Sequence, residues 1–396
     1  MTIKYRVIQL DLDEKAKDNI SDNELREYIQ EKVAHTGANY IYVQISSEDN
    51  PGGDNKTSDR LLFDATQYVP NARLLDPHIF GKAVQMIREV APESRILAWA
   101  PTLYSAFLID DEGDTVQASE DGKGECNWYK RATPFAEKTR SRLNAFFNAL
   151  GHCTEELDGV MFQDDLILSD WEDISEAGRR LLNERYGLAA ADDKRLNDFL
   201  SEEDSSGDDF ANNRDWHQYK TSTLDNLSLE LFEAFKDGYR EAFPARFEAR
   251  QRNDHSRLKC GRDYYSAAVT DRSNDMGDWF GQNIDTALDI YDHVVIMAYA
   301  NMDKHLDLDA EDAQDWLKSL VEEANAIANK NGKNRAEKLI FKLQSVIWSE
   351  REGRDDKPIS AETLQKNAQA LLSAGAVNIG FYPAFETESS FDLRTL

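Results

Sequence analysis

The sequence is poor in the residues and motifs that define several large protein classes. Its three cysteines, Cys126, Cys153 and Cys260, form no C-x-x-C pair, and an odd count leaves at least one thiol free. Its seven histidines show no H-x-x-H, H-x-x-x-H or H-E-x-x-H spacing, and no P-loop, G-x-S-x-G or G-x-G-x-x-G motif occurs. We therefore expect no disulfide framework, no cofactor and no metal; a dispersed site of Asp and His ligands is the alternative.

Positive charge and long apolar runs are also scarce. The formal net charge is −28, which argues against a nucleic-acid partner, because neutralising phosphates requires clustered Lys and Arg. Charged residues make up 30% of the chain and interrupt it too often for a membrane span. The first residues, MTIKYRVIQLDLD, lack the apolar stretch of a secretory signal. By this criterion the protein is either cytoplasmic or has lost its signal.

Short β-branched or aromatic runs alternate with amphipathic helical patterns along the chain. The eight runs are YRVIQLDLD from Tyr5, NYIYVQIS from Asn39, RILAWAPT from Arg95, DGVMFQDD from Asp158, RLKCGRDY from Arg257, HVVIMAYA from His293, KLIFKLQSVIW from Lys338 and AVNIGFYP from Ala376. Eight such units predict an α/β fold, a (β/α)₈ barrel formed as a single domain over residues 1–396. A doubly wound open sheet is the alternative.

Three polar, turn-rich stretches exceed a minimal barrel: Ser46 to Asp76, Tyr104 to Lys130 and Gly187 to Trp216. They follow the second, third and fourth strands, so we expect them on the catalytic face, where they would build an extended cleft. A long helical pattern from Asn213 to Phe243 precedes the fifth strand.

Carboxylates and aromatic side chains are concentrated at the predicted strand ends, where barrels carry their chemistry. Such a combination is typical of glycan cleavage, in which acids flank the bond and rings stack on sugar faces. Each residue also has a structural explanation: the first acids could cap helices, and the tryptophans could belong to the core. The side chains that we predict to bind a polysaccharide substrate are Asp11, Asp13, Gln44, Trp99, Gln163, Arg262, Tyr264, Tyr299, Trp348 and Tyr382.

The fourth strand runs directly into an acidic pair, Asp164 and Asp165, with Asp170 close behind. Side chains alternate along a strand, so only one acid of the pair follows the barrel interior unless the strand bends. Met161, Gln163 and Asp165 share a face, and we predict Asp165 as general acid, with Asp164 and Asp170 as further catalytic carboxylates. Asp170 could instead favour the next helix through its dipole.

The segment LDGVMFQDDLILSDWEDIS closely resembles the acidic motif of glycoside hydrolase family 153, the PgaB-type hydrolase domains of poly-β-1,6-N-acetyl-D-glucosamine deacetylases. Supporting stretches include VPNARLL, RATPF, WFGQNIDTALDIYDHVVIMAY and NIGFYP, so that the similarity covers roughly residues 5 to 385. The resemblance implies a (β/α)₈ barrel that cleaves partly de-N-acetylated polymer, in the periplasm or outside the cell. It places Asp164, Asp165 and Asp170 on the family's groove aspartates, with Asp165 on the catalytic position.

Two departures from the family pattern bear on function. Gln163 stands where His is usual, and the N-terminal deacetylase domain with its metal-binding histidines is missing. A more distant similarity to family 18 chitinases aligns Asp158, Gly159 and Asp165 with their strand-four motif. The alternatives are therefore a non-catalytic glycan-binding or export barrel, and a chitinase-like hydrolase of β-1,4-linked amino sugars.

Overall fold

The computed structural model describes residues 3–49, 57–119, 129–188, 193–200, 208–252, 256–271, 279–348, 357–384 and 392–396. Eight parallel strands form a closed barrel in the order in which they occur along the chain. They are β1 (Tyr5–Leu10), β2 (Tyr40–Gln44), β3 (Arg95–Ala100), β4 (Gly159–Phe162), β5 (Lys259–Tyr265), β6 (His293–Ala298), β7 (Leu339–Gln344) and β8 (Asn378–Tyr382). Strand β1 pairs with both β2 and β8, which closes the sheet. The predicted (β/α)₈ barrel and all eight predicted strands are confirmed.

Helices surround the barrel. They are α1 (Asp13–Lys17), α2 (Asp22–Ile29), α3 (Ile79–Val90), α4 (Glu137–Cys153), α5 (Glu176–Tyr186), α6 (Asp193–Leu200), α7 (Asp208–Ala242), α8 (Pro244–Gln251), α9 (Ala267–Thr270), α10 (Ile284–Ile290), α11 (Ala300–Lys304), α12 (Glu311–Ala328) and α13 (Ala361–Ser373). Among the described helices, none combines the length and apolar character that a membrane crossing needs.

The two faces of each strand bury different sets of side chains, as the two-residue repeat of a strand requires. The inner set fills the barrel and consists of Val7, Tyr40, Tyr42, Leu97, Trp99, Met161, Val295 and Ile340. The outer set packs against the helices and includes Val160 and Phe162 of β4. Along β4, odd-numbered residues therefore face the barrel interior.

Gly159 allows β4 and β5 to approach each other closely. Its φ is +153°, and a Cβ atom there would lie 1.9 Å from the carbonyl oxygen of Lys259. A side chain would separate the two strands, so this position requires glycine. The constraint fixes where β4 begins and hence which residues reach its opposite end.

Asp158 anchors the other end of the barrel. Its carboxylate binds Arg250 at 2.6 Å, Arg88 at 2.9 Å and Arg95 at 3.2 Å. Burial alone would raise the pKa of Asp158, but Arg250 and Arg88 together hold that pKa below its ordinary value. The aspartate of the D-G pair therefore has a structural role, far from the carboxyl ends of the strands.

The long βα segments contain regular structure where the sequence indicated polar loops. A three-stranded sheet follows β2 and consists of Ser46–Asp49, Thr57–Leu61 and Arg73–Leu74. Its strand Thr57–Leu61 is mostly polar, so alternation of apolar residues does not reveal it; Leu61, Leu62 and Phe63 at its end are buried. The third segment contains α6 and the first turns of α7, which begins at Asp208 rather than at Asn213.

Candidate active site

Asp164 lies at the mouth of the barrel, held by two tyrosine hydroxyls. The hydroxyl of Tyr129 donates to its Oδ2 atom at 2.8 Å, and that of Tyr265 donates to the same atom at 2.7 Å. Tyr129 comes from the long segment after β3, and Tyr265 ends β5. Within the described part of the chain, no hydrogen bond is formed to Oδ1 of Asp164. One oxygen is thus fixed, and the other is available to a ligand.

Asp165 points in a different direction, into the segment after β3. It is 0% exposed, and its oxygens accept hydrogen bonds from the amides of Thr102 and Tyr104 at 3.0 Å and from the Thr102 hydroxyl at 2.9 Å. Burial raises the pKa of Asp165 to about 6, although these hydrogen bonds oppose the increase. Strand β4 ends at Phe162, so the alternation of side chains between its two faces does not extend to Asp165. The chain turns at Asp164 and Asp165, and this turn brings Asp164 to the mouth.

Asp170 lies in the segment that follows β4, beyond Asp165, and it faces helix α7. Its Oδ1 atom is 3.3 Å from Nδ1 of His217, and its side chain is 39% exposed. Lys220 donates to the backbone carbonyl of Asp170 at 3.1 Å. Burial would raise the pKa of Asp170, but the hydrogen bond from His217 and the charge of Lys220 outweigh it and lower that pKa. Asp170 is therefore a partly exposed anion.

Four aromatic side chains predicted from the strand ends form one continuous cluster, here called the aromatic wall. Trp99 lies 5.6 Å from Tyr382, Tyr382 lies 6.1 Å from Trp348, and Trp348 lies 5.2 Å from Tyr299, measured between ring centroids. Trp348 and Tyr382 are half-buried, so both side chains are partly exposed to solvent. Tyr299, Trp348 and Tyr382 pack in one cluster with Tyr129 and Tyr265, the two tyrosines that bind Asp164, so the wall lies beside this acid.

A buried ion pair lies beneath the mouth, inside the barrel. Lys342 binds Asp263 at 2.9 Å and Gln9 at 3.0 Å, and the indole of Trp99 donates to Asp263 at 3.1 Å. Burial raises the pKa of Asp263 even though Lys342 opposes the increase. The ion pair fixes the base of the aromatic wall through Trp99.

The predictions for Arg262 and Tyr264 as substrate ligands are wrong. Both side chains are 0% exposed and lie on the outer face of β5. Arg262 forms an ion pair with Asp225 of α7 at 2.9 Å and also donates to the carbonyl of Leu166. Alternation brings Asp263 and Tyr265, their neighbours, to the inner face. Burial is continuous along β5, so residue type gave no indication of which set faces inward.

The predicted residues at the ends of β1 and β2 stabilise the backbone of the mouth. Gln44 accepts from the amides of Leu12 and Asp13 at 2.9 and 3.0 Å, and Asp13 forms an ion pair with Lys17 at 2.6 Å. Asp11 is half-buried and accepts from the Asp13 amide at 2.9 Å. These contacts account for Gln44 without a ligand, whereas Oδ1 of Asp13 is buried and has no hydrogen-bond partner among the described residues.

The remaining predicted residue, Gln163, lies directly before the acid. Its Oε1 atom accepts the hydroxyl of Tyr104 at 3.0 Å. The residues that sequence reasoning missed are Gln9, Tyr104, Tyr129 and Lys342. Asp263 and Tyr265 lie at the predicted end of the fifth strand, but their neighbours Arg262 and Tyr264 were predicted as the ligands. Tyr129 lies in the segment expected to build the cleft, but nothing in its local sequence distinguishes it from the other polar and aromatic residues there.

The environment of Asp303 predicts that the stability of the protein depends on pH. It is half-buried in α11 and accepts the Ser266 hydroxyl at 2.6 Å, and burial raises its pKa from 3.8 to about 6. A raised carboxyl pKa stabilises the fold at pH values below 4, and this contribution is lost as the pH rises through 6. We expect Asp303→Asn to be roughly 1 to 2 kcal/mol more stable than the native protein at pH 7, with a smaller difference at pH 4.

Urea denaturation at several pH values measures this effect. Asp215→Asn is the control, because the Tyr186 hydroxyl and Arg185 lower the pKa of Asp215 and its removal gives no gain at neutral pH. Equal pH slopes in the native protein and Asp303→Asn would contradict the assignment.

Comparison with known proteins supports an enzymatic role for the protein. The model of the family described as hypothetical glycosyl hydrolase family 13, GHL13, matches residues 9–382. The poly-β-1,6-N-acetyl-D-glucosamine N-deacetylase of Escherichia coli K12 is 25% identical over 386 residues, covering 96% of this chain and 49% of that protein. The chain thus spans about half the length of the curated relatives it matches.

Solved structures show the same fold. The glycoside hydrolase domain of PgaB (BpsB) from Bordetella bronchiseptica superposes with a TM-score of 0.69 at 23% identity, covering 96% of this chain and 94% of that one. The catalytic domain of a β-amylase from Paenibacillus polymyxa gives a TM-score of 0.52 at 10% identity, with coverages of 96% and 92%. The resemblance to PgaB-type domains indicated by the acidic motif is confirmed, and the chain belongs to the glycosyl hydrolase family GHL13.

Proposed function

We propose that the protein is an endo-acting hydrolase of partly de-N-acetylated poly-β-1,6-N-acetylglucosamine, with Asp164 as its general acid. The observation that carries this proposal is the position of Asp164, an acid at the mouth with one oxygen fixed and the other available. The name of the Escherichia coli relative supports the substrate class, and that of the Bordetella bronchiseptica domain supports glycoside hydrolysis.

The geometry around Asp164 suits proton donation. Tyr129 and Tyr265 bind Oδ2 from two sides, which fixes the orientation of the carboxyl group before a substrate arrives. A proton on Oδ1 can then pass to the glycosidic oxygen as the bond to the anomeric carbon breaks, and water supplies the hydroxyl group that the anomeric carbon takes up. By contrast, both oxygens of Asp165 are occupied and fully buried, so we assign proton donation to Asp164 in place of Asp165.

The aromatic wall and the exposed carboxylate of Asp170 suit a partly cationic sugar polymer. Trp348 and Tyr382 offer half-buried rings on which the apolar face of a pyranose can stack. Asp170 carries a negative charge at the same end of the barrel and would attract the ammonium group of a glucosamine unit. Asp11, directly after β1, is a further half-buried acid for such contacts.

The defining experiment is incubation of the protein with defined oligosaccharides and detection of products by mass spectrometry. We expect partly de-N-acetylated β-1,6-linked glucosamine oligomers to be shortened at internal bonds, and chitin oligomers of equal length to stay intact. Cleavage of the chitin oligomers alone would instead indicate a chitinase-like enzyme. Binding of the β-1,6 oligomers without shorter products would indicate a glycan-binding barrel.

We further infer that residues 1–396 act as one hydrolase domain and that the protein works where exported polymer is found, in the periplasm or outside the cell. The barrel strands extend from Tyr5 to Tyr382, nearly the whole chain, which supports the first inference. The second rests on the family resemblance. Cell fractionation with an antibody against the protein tests it, and recovery in the cytoplasm would contradict it.

Trp348→Ala tests the aromatic wall as a sugar platform. We expect KM for the β-1,6 oligomers to rise about tenfold with a small change in kcat, because stacking stabilises bound substrate and transition state alike. Trp316→Ala is the matched control, since Trp316 is a half-buried tryptophan of α12 that packs on the outer core. An unchanged KM in Trp348→Ala would exclude this ring from the binding site.

A further inference from the structure

We propose that Asp165 is a positioning residue, which orients Asp164 through Tyr104 and Tyr129 without touching the substrate. This inference rests on the proposed function of Asp164. It begins from the environment of Asp165, a fully buried carboxylate to which each contacting group donates a hydrogen bond. Those donors are two backbone amides and one hydroxyl of the segment after β3.

The first step of the connection is the fixation of that segment. The amides of Thr102 and Tyr104 both donate to Oδ2 of Asp165 at 3.0 Å, and the Thr102 hydroxyl donates to Oδ1 at 2.9 Å. Backbone N–H groups directed at one carboxylate determine the position of the chain that carries them. The backbone of Tyr104 is therefore attached to the residue that directly follows Asp164.

The second step runs through the side chain of Tyr104. Its hydroxyl donates to Gln163 at 3.0 Å, and its ring packs on that of Tyr129 with 5.0 Å between centroids. Tyr129 in turn donates to Asp164 at 2.8 Å. Asp165 and Asp164 are thus joined twice, by the peptide backbone and by a chain of two tyrosines that returns to the acid.

A second buried carboxylate in the segment after β4, which also contains Asp165, offers a matched control. Asp173 is also 0% exposed, and it accepts from the amides of Gln117 and Ser175 at 3.0 and 2.8 Å and from the hydroxyl of Thr133 at 2.5 Å. Its partners have no described contact with Asp164. Removing either carboxylate leaves buried amides without an acceptor, which destabilises the fold by a similar mechanism.

The test compares kcat and KM for the β-1,6 oligomers in variants of these two residues, together with the free energy of unfolding. We expect Asp165→Ala to lower kcat about 100-fold with little change in KM, because a displacement near 1 Å is enough for such a loss. Asp173→Ala should lose similar stability and keep its kcat.

The conservative variant separates positioning from proton donation. In Asp165→Asn, the carbonyl oxygen can still accept both amides at the Oδ2 position, and the amide group can donate to the Thr102 hydroxyl; the longer contact of the Thr102 amide to Oδ1, at 3.2 Å, is lost. We expect its kcat to lie within about tenfold of the native value, whereas loss of a proton donor costs about 10²- to 10⁴-fold. An asparagine amide cannot supply the proton.

A double variant tests the route through Tyr129. If Asp165 acts by placing that tyrosine, Asp165→Ala combined with Tyr129→Phe should lower kcat no further than Asp165→Ala alone. Any of three results would overturn the proposal: losses of kcat that multiply in the double variant, a kcat of Asp165→Asn as low as that of Asp164→Asn, or a native kcat in Asp165→Ala. Should Asp165→Ala not fold, the Asp165→Asn result alone decides. Full activity of Asp164→Asn would refute the proposed function instead.

Discussion

Asp164→Asn is expected to lower kcat for cleavage of the β-1,6 oligomers by about 10²- to 10⁴-fold, the range of general acid catalysis. Asparagine has the same shape and can still accept the hydroxyls of Tyr129 and Tyr265, so the mouth should keep its geometry. KM should change little, because the aromatic wall is intact. Steady-state kinetics on a defined oligomer, with circular dichroism as the check on folding, measure the effect.

Asp173→Asn provides the control for this experiment. It removes the same charge from a buried carboxylate nine residues later, at a position without described contacts to Asp164. We expect native kcat in this variant. A native kcat in Asp164→Asn as well would exclude Asp164 as the proton donor.

Arg262→Met is expected to produce the largest loss of stability, roughly 3 to 5 kcal/mol, and no change in KM. The reason is the buried ion pair with Asp225, whose side chain is left as an uncompensated carboxylate between β5 and α7. Burial already raises the pKa of Asp225 against the influence of Arg262. Denaturation with urea at neutral pH gives the free energy of unfolding.

The double variant Arg262→Met/Asp225→Leu is the matched comparison. Replacing both charges with apolar side chains of similar size removes the unpaired charge, so most of the lost stability should return. This outcome would establish that the guanidinium has a structural role. An increase in KM with native stability in Arg262→Met would instead support the substrate contact that the sequence suggested.

The barrel was predictable from sequence because its strands are short, strongly apolar runs and amphipathic helices lie between most of them. The aromatic wall was predictable for a related reason. Trp99, Tyr299 and Tyr382 end such runs or lie next to their ends, and Trp348 lies just beyond β7. Strand ends converge at one rim of a closed parallel barrel, which brings side chains from distant parts of the chain together.

Assignments that depended on the direction of a single side chain were less secure. Asp164 and Asp165 differ by one position, and the choice between them depends on where β4 stops and bends. On β5, too, a shift of one residue decides whether Arg262 or Asp263 faces the barrel interior. Tyr129 contacts Asp164 only through tertiary folding of the segment after β3, which has no periodic pattern from which its course could be deduced.

The two tyrosines that hold Asp164 belong to different parts of the fold. Tyr265 ends a barrel strand, whereas Tyr129 is carried by an inserted segment that lies outside the sheet. Changes of length or sequence in that segment can therefore alter how the acid is held while the eight-stranded scaffold stays the same. Evolution, or an engineer, could adjust the reactivity of this enzyme from a peripheral connection and leave its core untouched.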